Sequence, residues 1–252
     1  MSSHEPQIAV CQARLGSTRF PGKVLEPLDG RPLLAGVLER VSRAEGLDGL
    51  VLATSKSPTD DPLAAWCAAE GVACFRGSEA DVLGRFVAAG RSAAAAGVVR
   101  INCDNPLIDP RYIDELLRRD RGGVDYLSYR LSDGRPVMKA AVSFFAEWVS
   151  MDALGRAAAT IHDPFLREHV TLGIYQDPDA FEVRFLQVPA FSDDPDFRFT
   201  VDHPEDLRLL EELAEAAGVP FSELTAERAV ETVRADPMWL ERMTRTNARS
   251  PK

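Results

Sequence analysis

Residues Gln12 to Lys23 read QARLGSTRFPGK, a stretch with three cations (Arg14, Arg19, Lys23), two glycines, two hydroxyls and no acid. The chain as a whole carries a formal net charge of −10. A cationic, glycine-bearing loop in an acidic protein is suited to receiving an anion. Glycine lets backbone N–H groups approach it, and guanidinium and ammonium groups add charge-assisted bonds. The loop directly follows the apolar run IAVCQA (8–13). In an α/β sheet the carboxyl end of the first strand is where ligands bind. The alternative reading is a solvated turn with incidental cations. The spacing is not that of a Walker A loop: five residues separate Gly16 from Gly22, and Val24 replaces the magnesium-binding hydroxyl. The dinucleotide fingerprint G-x-G-x-x-G is absent as well.

Two aspartates offer a second kind of chemistry. Asp104 closes the run VVRINCD (98–104) and Asp202 closes FRFTVD (197–202), so both are expected at the ligand-binding edge of a sheet. Paired carboxylates there suit Mg²⁺, which takes oxygen ligands and completes its shell with waters and substrate phosphates. Either aspartate reads equally well as a helix cap, since Asp202 precedes Pro204 as Asp109 precedes Pro110. No spacing suits zinc, and no Ser-His-Asp arrangement can be argued from His162, His169 or His203. The four cysteines (Cys11, Cys67, Cys74, Cys103) form no C-x-x-C pair; three of them lie in apolar surroundings, so small buried hydrophobes are the reading rather than ligands or disulfides.

The elements that must position these groups alternate from the start. Strand-like runs at 8–13, 50–55, 72–77 and 98–104 are separated by helical patterns. Pro32 opens the first helix, and Asp61 and Gly71 bound the second as cap and stop. The third helix runs from Glu79 through the alanine-rich stretch 93–96. Near-continuous apolar strands in βαβα order imply a buried, mostly parallel sheet. After Asp125, strands are expected at 125–129, 137–145, 181–188 and 197–202. Helices are expected at 147–159, at 164–177 and from Pro204. The chain beyond Phe221 reads as a helical tail (about 220–252) that frays at TNARSPK. With no repeat and no linker, residues 1–252 read as one domain with an arm or insertion at about 128–190.

Composition narrows the function classes. Apolar content of 45% and charged content of 27% are ordinary for a globular protein. The acidic balance argues against nucleic-acid binding, which needs a basic face. No apolar run approaches the ~18 residues of a membrane span, and no signal segment is evident, so a cytoplasmic protein is expected.

The motifs ARLGSTRFPGKVL and LDGRPLL, followed by ATSKSPTDDP, FRGSEADVLGRF, Asp104-Asn105-Pro106-LID, REHVT and FTVDHPEDL, run from about residue 8 to 215. In order and spacing they resemble the cytidylyltransferases that make CMP-activated sugars, above all the spore-coat polysaccharide branch. The resemblance implies a three-layer α/β/α nucleotidyltransferase fold, Rossmann-like and GT-A-like, with a mostly parallel mixed sheet and an inserted arm. It also implies attack of an acceptor oxygen on the α-phosphate of CTP, with Mg²⁺ held by Asp104 and Asp202 and pyrophosphate released. Such chemistry is mostly positioning and charge neutralisation. By the same resemblance Arg14, Ser17, Arg19 and Lys23 grip the triphosphate beside Gly16, and Ala13 and Arg14 present backbone to the base. Ser78, Asp81 and Arg85 line the nucleotide pocket. Arg100 is either just outside that pocket or an exposed strand end. The arm is placed for the homodimer contact of the family.

Departures from the branch bear on base or acceptor contacts, and one of them on the acceptor in particular. Asn102-Cys103-Asp104-Asn105-Pro106 stands where T-G-D-C-P is usual, and Gly84 replaces the second acid of D-V-L-D-R. An acidic strand of the relatives is replaced by Asp133-Gly134-Arg135-Pro136-Val137-Met138-Lys139. Arg135 and Lys139, as donors, favour an anionic acceptor bearing a carboxylate, phosphate or phosphonate, unless they face solvent. His169 is a further acceptor-side candidate. Competing readings are a glycosyltransferase of related architecture using an activated sugar, and a non-catalytic nucleotide-binding module. The first calls for a D-x-D motif that Asp104-Asn105-Pro106 lacks.

Overall fold

A computed structural model describes residues 5–249. Among these residues a seven-stranded sheet runs in the order β5 (Cys74–Gly77), β4 (Gly49–Ser55), β1 (Gln7–Gln12), β6 (Gly97–Asn102), β8 (Glu147–Ser150), β7 (Tyr126–Arg130), β9 (Val183–Gln187). Only β8 runs against its neighbours; the other pairings are parallel. A two-stranded ribbon, β2 (Pro27–Leu28) with β3 (Arg31–Pro32), follows the cationic loop. The helices are α1 (Leu33–Ser42), α2 (Asp61–Glu70), α3 (Val82–Ser92), α4 (Pro110–Arg118), α5 (Met151–Thr160), α6 (Pro164–Glu168), α7 (Leu172–Tyr175), α8 (Pro204–Ala217), α9 (Ala226–Ala235) and α10 (Pro237–Arg249).

Three layers follow from the strand period of two. Ala9 and Cys11 of β1 join Val99 and Ile101 of β6 in a core that includes Leu34 and Val37 of α1 and Leu210 of α8. Ile8, Val10 and Val98 point the other way, into a core with Phe86 of α3 and Leu154 of α5. The expected α/β/α sandwich is the observed one. Among the described residues no helix is long and apolar enough to cross a membrane. Cys11, Cys67 and Cys103 are buried and Cys74 is exposed; all four are free thiols.

Several local expectations are corrected. Residues 137–145 are not a strand. Val137–Lys139 form a 3₁₀ turn behind Pro136, and the left-handed Ser143 (φ 65°) bends the chain that follows. FRFTVD is extended but joins no ladder: a bridge from Arg198 to Ala141 and the Phe199 amide on the Ala141 carbonyl pin it instead. Glu147 opens a strand rather than a helix, and α5 starts at Met151, capped by Ser150. The helix expected over 164–177 is split into α6 and α7 by Val170, which is buried with φ 46°. The alanines 93–96 do not continue α3; Ala94 (φ 52°) turns the chain so that the Ala96 amide reaches the Pro6 carbonyl ahead of β6. Asp60 takes the cap position of α2, and Asp61 is its first residue. The segment 128–190 supplies β8 and β9 to the main sheet. The tail is helical through Arg249; residues 250–252 of the expected frayed end lie outside the described residues.

Candidate active site

Register sets the site. Gln12 of β1 lies level with Ala53 of β4 and Asn102 of β6, so the cationic loop and the segment bearing Asp104 leave the sheet at one edge. The Gly22 amide closes the loop onto the Leu15 carbonyl at 3.0 Å, and Gly22 takes φ 75°, a conformation open to glycine at little cost. At the other side Asp60 holds the loop: its Oδ1 accepts the Leu15 amide at 2.8 Å while Oδ2 accepts the amide and hydroxyl of Ser55. Burial would raise the Asp60 carboxyl, but the Leu15 amide and the Ser55 donors outweigh it and hold the group below the usual carboxylate range.

Asp202 reaches the same edge from an irregular segment. The Val201 amide donates to the Asp104 carbonyl at 2.9 Å. Beside it, Asn105 Oδ1 accepts the hydroxyls of Ser143 at 3.1 Å and Thr200 at 2.9 Å, tying both aspartate-bearing segments together. Lys23 Nζ lies between the carboxylates, 2.8 Å from Asp104 Oδ2 and 3.2 Å from Asp202 Oδ1, and also donates to the Val201 carbonyl at 2.7 Å. Burial alone would push this ammonium down; the two carboxylates outweigh burial and raise it above the ordinary lysine value. Arg19 adds a second cation, 3.0 Å from Asp202 Oδ1.

A cleft of about 220 Å³ opens here. Ala13, Arg14, Ser17, Arg19, Lys23, Asp104 and Asp202 all line it, together with Gln12, Thr18 and Asn102, which the motif reading left out. Gly16 lies within the same loop but does not line the cleft. Buried Asp104 Oδ1 and Gln12 Oε1 find no hydrogen-bond partner among the described residues. An orphaned carboxylate oxygen beside a second carboxylate fits a hard, oxygen-seeking cation, so the donor set suits Mg²⁺.

The remaining candidates lie elsewhere. Asp81 caps α3 through the Gly84 amide and pairs with Arg167, and Ser78 accepts the Asp81 amide. Arg85 is buried against Gly77 and donates to the Ser78 carbonyl at 2.6 Å; its Nε and Nη2 have no partner among the described residues. Burial and then the charge of Arg14 push the Arg85 guanidinium down. Arg14 itself reaches Glu168 at 3.3 Å. Arg100 is neither at a strand end nor exposed. It is buried mid-strand and paired with Glu147, which also accepts from Tyr126 and Thr171. His169 is exposed, its ring edge-on to Phe165 at 4.5 Å, and does not line the cleft. Arg135 and Lys139 line a separate cavity of about 250 Å³ with Pro195, Asp196 and Asn247. The residues missed by motif reading, Asp60 and Asn105 above all, sat inside quoted motifs; nothing in their local spacing marked them.

Known relatives and solved structures identify the family and the fold. The family profile described as cytidylyltransferase matches residues 8–229. The chain is 36% identical over 218 residues to the spore coat polysaccharide biosynthesis protein SpsF of Bacillus subtilis, covering 83% of this chain and 86% of the relative. It is 35% identical over 189 residues to a 3-deoxy-manno-octulosonate cytidylyltransferase of Anaeromyxobacter dehalogenans, covering 71% and 74%. A solved cytidylyltransferase from Leptospira borgpetersenii superposes with a TM-score of 0.83 at 25% identity, over 94% of this chain and 97% of that one. The CTP complex of a CMP:2-keto-3-deoxy-manno-octonic acid synthetase shares the fold, with a TM-score of 0.63 at 20% identity over 84% and 99%.

Proposed function

The chain belongs to the cytidylyltransferase family, and on that premise we propose that it transfers CMP from CTP to an anionic, sugar-acid-like acceptor with release of pyrophosphate. The observation that carries this reading is the Lys23 ammonium held between Asp104 and Asp202 at the mouth of the cationic loop. A triphosphate entering the cleft meets Arg14, Arg19 and Lys23 together with the loop's backbone amides. These groups orient the α-phosphate for in-line attack and disperse the charge of the departing pyrophosphate. The acceptor oxygen forms the new bond to the α-phosphorus as the α–β phosphoanhydride bond breaks. Asp104 and Asp202 would hold Mg²⁺, which when bound supplies neutralisation of phosphate charge. Lys23 meanwhile bridges the two like-charged carboxylates.

Arg135 and Lys139 are read as a handle for the acceptor's anionic group on their charge alone, since the cavity they line is separate from the nucleotide cleft. A homodimer through the segment 128–190 belongs to the same reading, supported by the exposed Phe165 ring; sedimentation at two concentrations tests it. The activity itself is tested by pyrophosphate release from CTP, set against ATP, GTP and UTP, with pooled sugar acids and sugar phosphonates. Turnover with CTP alone among the four is the expected result. A chain that releases pyrophosphate from none of them, or that prefers another base, would sink the reading.

A further inference from the structure

The two carboxylate oxygens of Asp202 keep different company. Oδ1 faces the loop and accepts from Arg19 and Lys23, whereas Oδ2 accepts Nη2 of Arg198 at 3.2 Å. Arg198 is 2% exposed, and each of its guanidinium nitrogens is engaged. Nε and Nη2 grip the two oxygens of Asp206 at 2.7 and 3.0 Å, and Nη1 donates to Asn247 Oδ1 at 3.2 Å. Asp206 also accepts the amides of Asp202 at 2.8 Å and His203 at 2.9 Å. Asn247 sits on α10 and returns a bond from Nδ2 to the Asp196 carbonyl at 3.0 Å; one turn earlier the Met243 sulfur accepts the Arg198 amide at 3.4 Å. None of Arg198, Asp206 and Asn247 lines the nucleotide cleft.

Backbone bonds from Phe199 to Ala141 and from Val201 to Asp104 pin the segment, but they do not set which oxygen of Asp202 faces the cleft; its side-chain partners do. We propose that Arg198 is a positioning residue for the metal site: it clamps Asp202 Oδ2 and thereby presents Oδ1 alone to the cleft. Asn247 makes the C-terminal helix part of that clamp by holding the remaining guanidinium nitrogen. A buried guanidinium needs acceptors for all its N–H groups, and Asn247 supplies one for Nη1. What ties Arg198 to the cleft is the choice of Asp202 Oδ2 as the further acceptor of Nη2. The inference rests on the reading of Asp104 and Asp202 as metal ligands. Groups that orient a ligating carboxylate are typically worth about 10- to 100-fold in metal affinity or activity.

The test is CTP affinity without acceptor, measured by calorimetry once in Mg²⁺ and once in EDTA. The ratio of the two constants reports coupling between metal and nucleotide, independent of turnover. Arg198→Lys keeps the charge and removes the fork; Asn247→Ala keeps Arg198 and frees Nη1. The Mg²⁺-dependent gain should fall about tenfold or more in Arg198→Lys and by a smaller factor in Asn247→Ala. Affinity in EDTA, set by the loop, should stay at the wild-type value in both. An undiminished gain in folded variants overturns the proposal, as does an equal loss in Mg²⁺ and EDTA. Should Arg198→Lys fail to fold, the half-buried Asn247→Ala alone decides. A wild-type gain no larger than that of Asp202→Asn would remove the metal reading and this inference with it, whereas an intact gain in Arg198→Lys removes only the inference.

Discussion

The Val201 amide donates to the carbonyl of Asp104 at 2.9 Å. That backbone bond joins the segment after β6 to the segment before α8, and it brings two acids from distant parts of the chain to one cleft. Two carboxylates this close repel unless a cation lies between them. Lys23 is that cation.

Asp104→Asn and Asp202→Asn should each leave the fold intact and cut turnover by roughly a thousandfold or more, the equivalent of several kcal/mol of transition-state stabilisation. Pyrophosphate release at saturating CTP and Mg²⁺, with circular dichroism alongside, checks this. Near-wild-type turnover in either variant contradicts a two-carboxylate site.

Arg19 and Lys23 should separate binding from stability. The half-exposed Arg19 side chain makes one ion pair, so Arg19→Ala should weaken CTP binding about 10- to 150-fold and barely change the melting temperature. Lys23 is 9% exposed and serves both aspartates. Lys23→Ala leaves Asp104 without its cation, whereas Asp202 keeps Arg19 and Arg198. It should therefore cost stability too, about 1–3 kcal/mol. Thermal melts and CTP titration of the two variants distinguish these outcomes; equal melting temperatures would show that Lys23 is not the counter-ion.

Asp60 carries the pH dependence of the loop anchor. Its folded carboxyl lies below the ordinary range because the Leu15 amide and the Ser55 donors overcome burial. A depressed folded value contributes stability above the unfolded pKa of about 3.9, and that contribution is lost as pH falls through the folded value. Asp60→Asn should thus have a lower urea midpoint than wild type at neutral pH, with the gap narrowing below about pH 4. A gap that stays constant into acid would mean that the anchor does not depend on charge.

The acceptor handle predicts a split in kinetic constants. Arg135→Ala or Lys139→Ala should raise the acceptor KM by about tenfold or more and leave CTP binding unchanged. Arg135 is half exposed and already pairs with Asp133 at 3.2 Å, so the larger effect is expected at Lys139. Rates against concentration for a charged acceptor and its neutral analogue provide the measurement. Equal kcat/KM for the two would dismiss an anionic handle.

Much of this was legible in the residues alone. The anion-seeking loop is contiguous, so its composition and its place after β1 were enough to mark it. The parallel sheet announced itself through apolar runs that leave both faces buried, and ordered motifs marked the family. What the chain could not reveal locally were contacts between remote segments. The pattern of 197–202 is that of a strand, because apolar alternation reports burial on one face and is blind to whether a neighbour supplies hydrogen bonds. Only the packed protein decided that no ladder forms there. Only packing placed Lys23 between Asp104 and Asp202, set Asp60 under the loop, and put Arg198 behind Asp202. Lys23 meets its aspartates from a remote segment, Asp60 holds the loop through neutral donors, and Arg198 turns toward Asp202 within one irregular segment. In each case low exposure makes the pairing strong and its absence costly.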